Sequence, residues 1–208
     1  MLTWYVQRCI ISDGEISGVF DTDRNQTLYF FIDAKTSGPE TFKAIISALE
    51  PLRKEGFLTT VKDNKIVTNG AITVIGTGNT PYDMVGPVAD RDYFFDANLE
   101  TLDDPENQDI TSVISPIASG GFTRAIGSVA PEADPILNDK QMSTLRAQIA
   151  TAKEKGIGAR YWDTPYFPVR TRNLVWRTLL HEGVALLNAD DLDSVVDYFW
   201  VLYRPPKT

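Results

Sequence analysis

Short β-rich runs alternate with stretches of helical spacing along most of this chain, and few architectures accept that alternation. LYFFIDAK (28–35) reads as a strand. Pro39 then sits where a first helical turn tolerates it, and Phe42, Ile45, Ile46, Leu49 and Leu52 follow at three- and four-residue steps until Gly56. That spacing predicts one amphipathic helix. FLTTVKDNKIVTNG predicts a hairpin around Asp63-Asn64. AITVIGTGN (71–79), DYFFDANL (92–99) and SVISPIAS (112–119) are further strands, with LETLDDPENQD a loop between the last two and an irregular, glycine-rich stretch in the 120s. Asn138 is an N-cap for a helix that places Met142, Leu145, Ile149 and Ala152 on one face and ends at Gly156. IGARYWDTP (157–165) is a strand, RTRNLVWRTLLHEG a helix with Leu174, Val175, Leu179 and Leu180 inward, and VALLNADDL (184–192) the last strand. The expectation is an α/β fold of six core strands joined mainly by crossover helices.

The strands end on polar residues: Asp33 and Lys35, Thr77 and Asn79, Asp96, Ser115 and Ser119, Arg160 and Asp163, Asn188 and Asp190. Parallel strands bring their carboxyl ends to one face, and ligands bind there in closed barrels and in open doubly wound sheets alike. The pattern points to a site more firmly than to either architecture.

Composition narrows the function. At 208 residues, with 43% apolar content and a net charge of −8, the chain has material for a buried core and no basic surface for nucleic acid. A single cysteine, Cys9, cannot form an internal disulfide, and no Cys/His spacing suits zinc. The opening MLTWYVQRCII carries Arg8 and matches neither a signal peptide nor a membrane helix, and VVDYFWVLY is too short to span a bilayer. These readings leave the compartment undefined.

Seven stretches in order carry a resemblance: GVFDTDRNQTLYFFIDAKT, ALEPLRKEGFLT, ITVIGTGNTPYD, RDYFFDANL, ISPIASGGFTRAIG, ARYWDTP and GVALLNADDLD. Together they resemble the fungal altered inheritance of mitochondria protein 6 family, a branch of the phospholipase C-like and glycerophosphodiester phosphodiesterase-like barrels. The resemblance runs from about Gly18 to Asp197 and sets residues 1–17 apart as a non-matching segment. It implies a (β/α)8 TIM barrel that hydrolyses lipid-type phosphodiesters with a divalent cation, Mg²⁺ or Ca²⁺, and two histidines. It places LYFFIDAK at the family's third strand, so the family's His-Asn and Glu-x-Asp strands are expected to be missing and the barrel incomplete. WYVQRCII is then either a non-native start or a substitute strand. Open barrel edges would favour self-association.

The resemblance also assigns roles. Asp33, in the pattern acid, one residue, lysine, corresponds to a metal carboxylate, although Asp stands where glycerophosphodiesterases typically have Glu. Lys35 is a candidate to neutralise a phosphate oxygen. The alternative is a rim ion pair with Asp33 or Asp96, and a Schiff-base role is disfavoured by the adjacent carboxylate. Residues alternate in a strand, so Arg160 and Trp162 share one face, where they are candidates to contact a phosphate and stack on a ring, while Tyr161 points away. The alternatives are core packing for Trp162 and an ion pair of Arg160 with Asp33 or Asp190. GTGNTP (76–81) fits no phosphate-loop spacing and reads as a turn. The chain's one histidine, His181, falls at the end of a helix, away from the strand mouths. The chain is therefore expected to belong to a phosphoric diester hydrolase family yet be inactive, or nearly so, by itself. The alternative is a non-enzymatic protein that binds a phosphate or sugar ligand at the same mouth.

Overall fold

The first predicted strand forms over Leu28–Ala34 (β3) and pairs in parallel, residue for residue, with Ile72–Gly78 (β6). The computed structural model describes residues 11–12, 15–16, 18–20, 23 and 25–200; residues 4–10 of WYVQRCII lie outside them. Before β3, Ile11–Ser12 (β1) and Glu15–Ile16 (β2) form a short antiparallel pair. The chain divides into two compact units, Met1–Ala97 with Asp109–Pro116, and Asn98–Gln108 with Ile117–Thr208.

In the first unit, β6 lies between β3 and Phe94–Phe95 (β7), all parallel. The predicted single helix is instead two: Gly38–Ala48 (α1) and Glu50–Lys54 (α2). Pro51 has no N–H to give the Ser47 carbonyl, so the helix breaks and restarts with Pro51 in the new first turn. The hairpin forms as expected from Thr60–Lys62 (β4) and Ile66–Thr68 (β5), with Asp63 (φ 52°) and Asn64 (φ 49°) supplying the two positive-φ turn residues. Leu49, Phe57, Leu58, Ala71, Ile72 and Val74 make a buried cluster against which Ile45, Ile46 and Leu52 pack. Full burial of each large side chain stabilises by about 1.5–3 kcal/mol, so this cluster fixes α1 and α2 against the sheet.

DYFFDANL is not one strand. It yields β7 and a separate Ala97–Asn98 (β8), because the chain stops pairing with β6 after Asp96 donates to the Gly76 carbonyl at 2.9 Å. SVISPIAS also shortens. Ile114 and Ser115 fold back onto Thr111 in a turn, Pro116 cannot donate to a ladder, and the strand starts only at Ile117.

That strand, Ile117–Gly121 (β9), lies beside β8 in a sheet of order β8–β9–β10–β11 and pairs in parallel with Gly158–Trp162 (β10), which pairs in parallel with Leu186–Leu187 (β11). A short helix, Phe122–Ala125 (α3), follows β9. Asp139–Glu154 (α4) begins with the predicted Asn138 cap, in which Asn138 and Gln141 satisfy each other's backbone N–H groups, and it packs on β10. Gly156 (φ 70°) ends it in the left-handed conformation that glycine adopts without penalty. Val169–Glu182 (α5) turns Val175 and Leu179 inward as expected, but its buried stripe continues through Arg172 and Trp176, while Leu174 and Leu180 are only half-buried. Leu192–Trp200 (α6) is the last described helix. The class is therefore mixed α/β with parallel sheets in both units. Among the described residues no helix is long and apolar enough to cross a membrane.

VALLNADDL contracts to the two residues of β11 because Asp191 is committed to α6: its Oδ1 accepts the Ser194 N–H at 3.0 Å. Its Oδ2 accepts the Ser194 hydroxyl and, at 2.8 Å, Arg172. Ser194's donors, and then Arg172, hold the Asp191 carboxyl below its ordinary value. A carboxyl depressed by folding contributes fully above the unfolded value of about 3.9 and loses that contribution as pH falls through the folded one. Asp191→Asn should lower the unfolding midpoint at neutral pH and flatten its decline below pH of about 4, read by thermal melts across pH. An equally steep acid decline in the variant would contradict this role.

Candidate functional site

In the first unit, β3 delivers Asp33 and Lys35 at its carboxyl end. Lys35 Nζ lies 2.6 Å from Asp33 Oδ2, with the lysine side chain 80% exposed and the aspartate 43%. The rim ion pair is thus present, and its lysine partner is Asp33. The carboxylate rests on the neighbouring strand: a Cβ at Gly78 (φ 66°) would come within 2.2 Å of Asp33 Oδ1 and 2.7 Å of the Ala34 carbonyl oxygen. GTGNTP reads as a turn in the sequence, but Gly76, Thr77 and Gly78 complete β6 and the chain turns only from Asn79. Asn79 N–H donates to the Ala34 carbonyl at 2.7 Å, Asn79 Nδ2 to Thr36 at 3.1 Å, and Thr80 Oγ1 to Thr77 at 2.9 Å, so the segment ties the ends of β6 and β3 together. Beyond it, Tyr82 donates to Asp109 at 2.6 Å, and burial followed by that bond pushes its hydroxyl up to about 12. Ser115 is not at a mouth. It is fully buried, and its Oγ accepts the Ala97 N–H at 3.1 Å.

A cavity of about 550 Å³ lies at the opposite, amino ends of these strands, lined by Gly70 and Ala71 before β6 and Asp92 before β7. Its charges are committed to each other. Arg53 Nε and Nη2 bind the two oxygens of Asp92 at 2.5 and 3.0 Å, and Nη1 binds Glu50 at 2.7 Å. These bonds clamp α2 to the approach to β7.

In the second unit, Arg160 and Trp162 project from one side of β10 and Tyr161 from the other, as alternation requires. Tyr161 is 1% exposed, packs edge-on to Phe122 and donates to Gln148 of α4 at 2.7 Å; burial raises its pKa. Arg160 is oriented by its neighbours across the sheet. Nη1 donates to Ser119 Oγ at 3.0 Å, and Nη2 to Asn188 Oδ1, just past β11. Trp162 is 43% exposed, which excludes full core burial, and its ring lies over Gly121: a Cβ there would meet Trp162 Cζ2 at 3.2 Å. Asp163 ends the strand at φ 56°, its carbonyl accepting the Thr123 hydroxyl at 3.2 Å.

His181 stands at the end of α5, before β11 and so at the amino end of that strand. It is exposed, with Nδ1 3.4 Å from Glu182. Asp33 is a single carboxylate already bound by an ammonium, and among the described residues no group of three His, Cys, Asp or Glu could hold a metal ion. Hard divalent cations need several oxygen ligands, so these residues do not fit a cation site by themselves. Two residues of the carboxyl-end surface escaped the sequence reading, Arg172 and Tyr166. The signal for Arg172 was present, since Arg172, Trp176 and Leu179 keep the helical spacing of the inward stripe. Tyr166, in a loop between two prolines, had none.

With this geometry in view, comparison with known proteins gives one consistent answer. Residues 7–96 match the AIM6-like phosphodiesterase domain. Over 182 residues the chain is 48% identical to an altered inheritance of mitochondria protein 6 homolog of Arthroderma benhamiae, covering 88% of this chain and 56% of the relative. It is 30% identical over 190 residues to altered inheritance of mitochondria protein 6 of Eremothecium gossypii, and 29% identical over 202 residues to that of Zygosaccharomyces rouxii, covering 49% of each. The chain spans about half the length of the curated relatives it matches. No solved structure matches it.

Gly78→Ala should dislodge Asp33, because a methyl group at 2.2 Å from its carboxylate, on a positive-φ residue, cannot be accommodated without movement. The expected loss is more than about 1 kcal/mol, measured by chemical denaturation. Unchanged stability would show that the β3–β6 rim is not built this way.

Proposed function

Because this chain belongs to the altered inheritance of mitochondria protein 6 family of fungi, we propose that it carries the substrate-binding face of a phospholipase C-like phosphodiesterase. In this reading its two parallel sets, β3–β6–β7 and β9–β10–β11, are strands of an incomplete (β/α)8 barrel, and the ligand sits at their carboxyl ends. The observation that carries it lies in the second unit, where Ser119 and Asn188, just past β11, direct the Arg160 guanidinium on β10. Lys35, at the end of the first unit's β3 and ion-paired with Asp33, is a separate exposed cation for a phosphate oxygen. Arg160, held by Ser119 and Asn188, supplies a planar cation of fixed direction, and Trp162 a partly exposed ring beside it.

Hydrolysis of a phosphodiester needs a proton taken from the attacking oxygen and one given to the leaving alkoxide, by groups that titrate near working pH. The chain's one imidazole is on the helix end opposite the mouth. We therefore assign this chain binding and orientation. The proton-transfer groups, and the ligands of the divalent cation that the family would use, are assigned to sequence that the longer relatives have beyond the matched part.

The test is hydrolysis of bis(p-nitrophenyl) phosphate by the purified 208-residue chain, with Mg²⁺ or Ca²⁺ and without. The expected rate equals that of buffer containing the same metal. Diethyl phosphate should bind, with affinity falling about tenfold in Arg160→Ala, the order expected for a hydrogen bond to a charged group, and less in the exposed Lys35→Ala. Metal-dependent turnover abolished by Asp33→Ala would overturn the assignment and make the chain itself an enzyme.

A further inference from the structure

Among the described residues ten large apolar side chains stand exposed, and six of them crowd into two short segments of the second unit. Trp162, Tyr166, Phe167 and Val169 lie at and past the end of β10, and Leu192 and Val196 lie past β11. The two segments are neighbours: Tyr166 and Asp191 line one cavity of about 230 Å³ beside Arg160, whose acceptor Asn188 lines it too. Leu192 and Val196 are one turn apart on α6 and share a face. The Tyr166 loop is held at both feet. Thr123 donates to the Asp163 carbonyl at 3.2 Å, Arg170 and Thr171 donate to the Pro131 carbonyl at 3.2 and 3.3 Å, and Pro165 and Pro168 restrict the backbone between them. Its tips are the most exposed apolar side chains described, Tyr166 at 86% and Phe167 at 71%.

We propose that this apolar rim docks peripherally on the surface of a zwitterionic lipid bilayer. Contiguous exposed apolar side chains mark an interaction surface, and shape, side-chain type and charge select the occupant. The tips project instead of lining a groove, so a protein would need a pocket matched to each of them, whereas a fluid interface closes around them. Tyr and Trp suit the headgroup level, and Phe, Leu and Val the acyl boundary just beneath it. Asp163, Asp190, Asp193 and Asp197 stand exposed in or beside these segments against one exposed cation, Arg170. Those carboxylates repel an anionic leaflet, and they repel the same rim of a second copy. The proposal goes beyond the phosphodiester reading and does not rest on it.

The full 208-residue chain is cosedimented with sucrose-loaded phosphatidylcholine vesicles and with vesicles that also contain phosphatidylserine. Phe167→Asp and Leu192→Asp are compared with Ile66→Asp, which adds the same charge at an exposed apolar position of the first unit, and with Arg160→Ala. Circular dichroism checks each fold, and Leu192→Asp decides the matter if Phe167→Asp unfolds. The expected result is saturable phosphatidylcholine binding that survives high salt, weakens when phosphatidylserine is present, falls about tenfold in Phe167→Asp and Leu192→Asp, and is unchanged in Ile66→Asp. No binding to phosphatidylcholine, an equal loss in Ile66→Asp, or binding to the anionic vesicles alone would overturn the proposal. Loss in Arg160→Ala with both rim variants unaffected would put the attachment at the mouth and overturn it as well. Self-association without lipid, abolished by Phe167→Asp and unaccompanied by vesicle binding, would give the rim to a second copy. Diethyl phosphate binding, measured in parallel, tests the phosphodiester reading separately, so either can fail while the other stands.

Discussion

Parallel pairing is the constraint from which the rest follows. β3 and β6 run side by side in the same direction over seven residues, and β9 and β10 over five, so within each unit the residues that end one strand stand beside those that end its neighbour. Asp33 faces Thr77 across the ladder, and Arg160 faces Ser119. An antiparallel arrangement would have sent those partners to opposite ends of the sheet. Helices and turns return the chain after each strand, and polar residues collect at one end because the apolar middle of every strand is needed for the core.

The two ends of the sheet treat charge differently. At the amino end of the first unit, Arg53 is consumed by Asp92 and Glu50, a closed set that locks a helix to the approach of β7. At the carboxyl ends, Lys35 is held on Asp33 yet stays exposed, and Arg160 is oriented by Ser119 and Asn188. The Arg53 set is closed on itself, whereas Lys35 remains 80% exposed.

Much of this was legible in the amino-acid order because the signals were local. The Asn138 cap, the Asp63-Asn64 turn and the alternation of Arg160, Tyr161 and Trp162 each depend on a few adjacent residues, and each formed as read. What was misread depended on partners distant in sequence. DYFFDANL has the composition of one strand but changes hydrogen-bond partners at Asp96, and Ser115 looks like a strand-end hydroxyl until its bond to the Ala97 N–H shows it to be buried. Pro51 and Pro116 were visible, yet their effect on helix and strand was outweighed by the apolar spacing around them. The cavity beside Arg160 was illegible for another reason: an arginine on the inward stripe of a helix and a tyrosine between prolines have meaning only once β11 and Asp191 are in place.

The central claim is that a phosphodiester is held at the carboxyl ends of the parallel strands. A backbone amide NMR titration of the chain with diethyl phosphate tests it most directly. The account predicts chemical-shift changes concentrated at residues 160–163 and 188–190. Changes confined to the amino ends, around residues 69–71 and 92, or absent throughout at saturating ligand, would contradict it.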